Sequence, residues 1–326
     1  MHTRHTGLLA LVAALGMLSG CPGGDDDDVS NDDDSVSDDD DATPDLDRAI
    51  TLDGGCDRAD LYGVFALEGQ ELFGVAEGTV ADGVVPVTIL EELVAEGACR
   101  LLRRNNPFCD PACSPGETCD HDGSCIAFPE NQDLGTVTLD GALEPLTLEP
   151  VQPGNRYFGL GLENPPFSPG AEVRFDSLSA GIQLEGVGSD PLVAPEAPLL
   201  VEEGEDLLIT WDEPTTQTDA VLHLELTIDQ HGVSPVRVAC TFEDTGSVVV
   251  PSTLVDGLFS AGVSGYPNAQ LSRRTTDRAD YLDGCVELRV GTVRLPSVRV
   301  AGHTPCSGPD DCPDGLTCDL PTNTCI

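Results

Sequence analysis

Short runs in which apolar and polar residues alternate one for one dominate the chain beyond its first fifty residues. Residues 135–139, 172–175, 220–228 and 285–290 follow this pattern; in the third run His223 falls between Leu222 and Leu224. A period of two sends successive side chains to opposite faces of an extended backbone, so the runs predict half-buried strands, with His223 on a polar face. Glycine (35) and proline (25) are abundant and punctuate the runs as turns. Only 87–104 carries a helical spacing, Leu90, Leu93 and Val94 at i, i+3 and i+4, and Gly97 interrupts it. That stretch reads equally as helix or strand. Many short strands separated by turns predict an all-β chain of the sandwich or barrel kind.

The clearest module covers 198–302. Residues 206–214 form an apolar run closing on Trp211, the single tryptophan, and 220–228, 236–242 and 247–251 follow as further strands. This succession resembles a fibronectin type III or immunoglobulin-like sandwich, in which a strand-ending tryptophan fills the core; the resemblance implies a fold and no function. Residues 46–197 are expected to form a first β domain, with the proline-rich 191–198 as the connection, because proline removes ladder donors and stiffens a linker. The expected architecture is two β-sandwich-like domains with two small disulfide-rich four-cysteine modules. One module is inserted at 106–128 and the other closes the chain at 303–326.

The N-terminus carries an address. Arg4 precedes an apolar run over 8–18, too short to span a bilayer, and Leu18-Ser19-Gly20-Cys21 follows it. This resembles the lipobox of bacterial lipoproteins, which implies a signal peptide over 1–20, cleavage before Cys21, and acylation there with palmitate-like chains. Two or three acyl chains anchor a protein stably, whereas one is marginal. Residues 21–45 then read as a disordered tether: aspartates fill 25–28, 32–34 and 38–41, with almost nothing apolar to bury. About 26 residues of such chain reach roughly 25–30 Å, and more with charge repulsion, so the domains are expected to stand off the bilayer. Diffuse cation binding is the alternative for this tract, but calcium needs oxygens placed by a folded loop.

Thirteen cysteines minus the lipidated one leave twelve, an even number suited to disulfides in an oxidising envelope. They group as Cys56 with Cys99; Cys109, Cys113, Cys119 and Cys125; Cys240 with Cys285; and Cys306, Cys312, Cys318 and Cys325. The expected bridges are Cys56 to Cys99, Cys240 to Cys285, and first to third and second to fourth within each cluster. The two clusters share the repeat C-x-x-G-x-T-C-D, at 113–120 and 312–319. They resemble the EGF-like or knot-like modules of secreted proteins, including Asp-linker, Cys-rich lipoproteins of myxobacteria and related bacteria. Zinc is the competing reading, but the spacings lack a C-x2-C knuckle, so no metal is expected.

The chain is strongly acidic, with 58 acidic and 15 basic residues and a formal net charge of −43. Every basic residue is arginine. Such a polyanion is repelled by phosphate backbones, so nucleic acid is not an expected partner. No G-x-S-x-G, H-E-x-x-H or Walker loop occurs. Asp229-Gln230-His231-Gly232 places an acid two residues before a histidine, and reads more simply as a hairpin turn. Asp120-His121-Asp122-Gly123-Ser124 stops short of a calcium loop and reads as a disulfide-closed turn. His121 and His303 lie beside the clusters as loop residues. No catalytic residue and no cofactor is expected. The reading is an envelope or cell-surface lipoprotein, tethered to a membrane through Cys21, with a non-enzymatic structural role or a protein or glycan ligand. Its alternatives are an accessory subunit of an envelope complex and a hydrolase whose site is assembled from distant residues. The outer membrane or surface is favoured, with the inner membrane open.

Overall fold

The computed structural model describes residues 52–229 and 235–326; the expected signal peptide at 1–20, Cys21, the expected acidic tether at 21–45 and His231 lie outside the described residues. The first strands are β1 (Leu61–Gly69), β2 (Gly74–Val80), β3 (Leu90–Glu96) and β4 (Cys99–Arg104). The small hairpin of β5 (Glu117–Cys119) and β6 (Cys125–Ala127) comes next, then β7 (Val137–Asp140), β8 (Leu146–Leu148), β9 (Tyr157–Leu162), β10 (Glu172–Ser177) and β11 (Ile182–Val187). The second half holds β12 (Leu199–Val201), β13 (Leu207–Thr210), β14 (Val221–Thr227), β15 (Val236–Glu243), β16 (Ser247–Val250), α1 (Ser252–Ala261), β17 (Asn268–Tyr281), β18 (Gly284–Arg294) and β19 (Val298–Val300). A last hairpin pairs β20 (Cys318–Asp319) with β21 (Thr324–Cys325).

One nine-stranded sheet, in the order β3-β4-β15-β14-β17-β18-β1-β2-β9, is the layer common to two hydrophobic cores. Over one half of it the four-stranded sheet β11-β10-β7-β8 closes a core around Phe65, Tyr157, Phe175, Leu184 and Leu288. Over the other half, the pairs β13-β16 and β12-β19 with α1 close a core around Ile209, Trp211, Leu224, Val238 and Leu258. Trp211 fills the position expected of it, against Phe242 at 5.4 Å between ring centroids, and its Nε1 donates to Asp244 Oδ1 at 2.7 Å. The chain is thus all-β and sandwich-like, with two disulfide-rich modules.

The cores do not follow chain order, which corrects the division at 191–198. β4 pairs with β15 in the second core, while β18 lies parallel to β1 in the first. Residues 49–326 accordingly form a single compact unit. Within the proline-rich stretch Leu192 is fully buried and its N–H donates to Thr292 Oγ1 at 2.9 Å, which pins 191–198 to the body at that point although its other residues are exposed or half-buried.

The same topology overturns both long-range disulfides. Cys56 bonds Cys285 and Cys99 bonds Cys240, so neither expected bridge between sequence neighbours exists. Cys99 and Cys240 face each other across β4 and β15, and Cys285 begins β18 beside the start of β1. Strand partnership, not closeness along the chain, put these sulfurs together. Within the modules the bridges are Cys109–Cys119 and Cys113–Cys125, then Cys306–Cys318 and Cys312–Cys325. The repeated glycines, Gly116 and Gly315, sit at φ of 88° and 92°, a left-handed turn that favours glycine.

Residues 87–104 resolve as a hairpin. A two-residue turn joins β3 to β4, with Gly97 at φ of 57°, and a left-handed first position suits the right-handed twist of paired strands. The α-helix of the described residues lies elsewhere, at α1, which packs Leu254, Val255 and Leu258 onto the second core.

Candidate functional site

The outer face of the nine-stranded sheet is not simply solvated. Alternation directs Leu222, Leu224 and Leu226 of β14 inward and Val221, His223 and Glu225 outward. By the same rule β15 presents Arg237 and Thr241, β17 presents Gln270, Arg274 and Thr276, and β18 presents Glu287 and Arg289. The segment 52–58 passes over these groups, fastened by the Cys56–Cys285 bridge and by the Cys56 N–H donating to Glu287 Oε1 at 2.7 Å. Arg278 Nη1 adds a bond to the Gly55 carbonyl at 3.3 Å. The result is a cavity of about 830 Å3, walled by four strands of polar side chains and edged by Leu61 and Val64 of β1.

Its charges are unevenly paired. Glu287, only 5% exposed, holds Arg289 through Nη2 at 2.5 Å and Nε at 2.7 Å. Glu225 holds Arg237 at 2.8 Å and lies 3.8 Å from Arg58. Among the described residues no carboxylate comes within 4.0 Å of Arg274. Burial, reinforced by Arg289, lowers its guanidinium to about 10, so it still carries its charge at neutral pH. Glu68 contributes attraction from a distance, and burial pushes that carboxyl upward.

Three buried side-chain polar atoms among the described residues lack a hydrogen-bond partner: His223 Nε2, Arg274 Nε and Thr276 Oγ1. All three belong to residues lining this cavity. A buried polar group left unsatisfied costs about 1–3 kcal/mol, so this wall is where hydrogen bonds from an occupant of the cavity would stabilise most. The other ring nitrogen of His223, Nδ1, lies 3.0 Å from Thr241 Oγ1. Burial first, then Arg274 and Arg289, depress this imidazole to about 3, so it is neutral at physiological pH.

Apart from His223 and Cys56, which line the cavity, the residues singled out in the sequence fall elsewhere or outside the described residues. Asp229 accepts a hydrogen bond from Ser264 Oγ at 2.5 Å, both buried, where β14 ends beside the loop after α1. Residues 120–124 form the turn of the β5–β6 hairpin, with Asp120 and Asp122 accepting from the His121 and Ser124 N–H groups. His121 Nε2 contacts the Pro86 carbonyl and His303 Nε2 the Gly265 carbonyl, both at 2.8 Å, anchoring each module to the body. The clustered cysteines lie within metal-ligand reach of one another, but their sulfurs are committed to disulfides. Among the described residues no helix is long and apolar enough to cross a membrane.

Alternation puts His223 on a polar strand face, and the run 285–290 alternates in the same way through Glu287 and Arg289. Arg274, Thr276 and Arg58 went unseen, since β17 runs polar on both faces through 272–278 and residues 52–58 carry no periodic signal.

No protein-family profile matches the chain, and no curated protein sequence matches it. Among solved structures it is similar to the FN1–FN3 domains of chicken CNTN1, at 11% identity over 70% of this chain and 68% of that one, with a TM-score of 0.17.

Proposed function

We propose that this is a lipid-anchored binding protein of the bacterial envelope, cleaved before Cys21 and tethered there, whose ligand site is the arginine-lined cavity on the outer sheet face. The observation that carries the binding role is the convergence of Arg274 Nε, His223 Nε2 and Thr276 Oγ1, all buried and without a protein partner, on one cavity. A fold tolerates such a cost where function requires it. A binding role suits the chemistry better than catalysis. Thr241 and His223 are within hydrogen-bond reach, but an imidazole at about 3 is too weak a base to take a hydroxyl proton. The lipobox-like 18–21 and the odd cysteine count support the anchor, and the tether's length favours a site held away from the membrane, at the outer membrane or cell surface.

Two measurements test this reading. Replacing Arg274 with Leu removes the unpaired cation and should raise the melting temperature of the protein; a fall would make the cavity a structural feature and end its candidacy. Cys21→Ser should shift the protein from the detergent to the aqueous phase in phase separation, and unchanged partitioning would refute the anchor.

A further inference from the structure

The chemistry of the cavity specifies its ligand more narrowly. Three of its four arginines lie within ion-pair distance of Glu225 or Glu287, which leaves Arg274 as the one lining arginine with no carboxylate within 4.0 Å among the described residues, attracted only from farther off by Glu68, Glu287 and Glu225. One free guanidinium calls for one negative group. A polyanion would meet Asp219, Glu225 and Glu287 in the lining and the field of a chain carrying −43, so nucleotides and phosphate monoesters are disfavoured. A guanidinium edge offers parallel N–H donors, a geometry matched by a planar carboxylate.

The remaining partnerless groups are neutral. Thr276 Oγ1 can donate or accept, and His223 Nε2 does either according to its tautomer, while Gln270 offers both functions from the same wall. Hydroxyl groups answer all three, and a single carboxylate cannot. Leu61, Val64 and Val221 supply an apolar edge for a C–H face. The volume, about 830 Å3, lies within the range of small-molecule sites, large enough for one or two sugar rings.

We propose that the cavity binds a small polyhydroxylated monocarboxylate of the uronic-acid type, its carboxylate on Arg274 and its hydroxyls on Thr276, His223 and Gln270. This rests on the cavity being the ligand site. The acid and the hydroxyls are both needed, so neither a neutral sugar nor a bare anion satisfies the lining.

Isothermal titration of the full chain at neutral pH and low salt provides the test, with glucuronate and galacturonate as probes and glucose, galactose, glutamate and inorganic phosphate as comparators. Saturable binding of a hexuronate is expected at one per chain, with the matching neutral sugar weaker by about 10–100-fold, the range for a charged hydrogen-bonding group. Arg274→Gln should lose a similar factor, Thr276→Val a smaller one, and Arg174→Gln, on the exposed face of β10, none. Equal affinity for the sugar and its uronate, or an unaltered Arg274→Gln, overturns the proposal. Binding of phosphate or glutamate alone overturns the ligand class and leaves the cavity as the site. If no probe binds, the proposal fails; a raised melting temperature in Arg274→Leu then preserves the cavity as a site, and a lowered one removes that as well.

Discussion

Arg273 and Arg274 are neighbours on β17, yet they meet opposite fates. Arg273 points into the body, 1% exposed, with Nε on Asp244 Oδ2 at 2.5 Å and Nη2 on Asp244 Oδ1 at 3.1 Å. It also donates to the carbonyls of Asp212 at 2.6 Å, Pro191 at 3.2 Å and Asp190 at 3.4 Å. Asp244 in turn receives Trp211 Nε1, so one guanidinium joins the crossing between the two halves to the tryptophan of the second core. Arg274, one peptide further, has a buried Nε with no partner and no ion pair. The same residue type is structural where every donor is used and ligand-seeking where it is not. What separates them is the face of the sheet, set by a single step along the strand.

The largest effect expected from this contrast is at Arg273. Arg273→Met strips a buried carboxylate and several carbonyls of their donor, and should destabilise the protein by about 3–5 kcal/mol in urea denaturation. A loss below about 1 kcal/mol would break the claim that Arg273 holds the two halves together. At Arg274 the sign should reverse: the Leu variant is expected to gain about 1 kcal/mol, since it relieves one unsatisfied buried group. Two losses of equal size would erase the distinction between the faces.

The smallest effect concerns pH. His223 has a folded-state value near 3 against an ordinary 6.5, so between these limits the unfolded chain binds the extra proton. Its contribution is therefore fully present above about pH 6.5 and is lost progressively as pH falls toward 3. Asp190 titrates in a different window. Burial opposes its ionisation, but hydrogen bonds from Thr216 and Thr215 outweigh this and hold it near 2 against an ordinary 3.8. Stability from Asp190 is thus lost only below about pH 3.8. Between pH 6.5 and 4 the slope of stability with pH should flatten in His223→Gln. It should also ease in Arg274→Leu, which removes a cation that helps depress the imidazole. An unchanged slope in His223→Gln would show that the histidine is already solvated.

Local pattern alone marked out much of this molecule. Alternation located β7, β10 and β14 within a residue or two, found the first part of β18, and set His223 opposite Leu222 and Leu224. The spacing of the clustered cysteines placed each module's bridges inside it, because a loop of 10–13 residues brings its own sulfurs together. Trp211 announced a core from a single position. Partnership between distant strands had no such local mark. β1 lies beside β18 across more than two hundred residues, and every apolar strand offers the same edges and the same period as any other. The pairing follows from which faces can be buried together, and with it came Cys56–Cys285, Cys99–Cys240 and the segment 52–58 across the sheet. That roof turned an outward polar face into a cavity, on whose wall Arg274 has no carboxylate within ion-pair distance among the described residues. The sequence determined which side chains point outward; only the packing of residues remote in the chain decided that outward was not water.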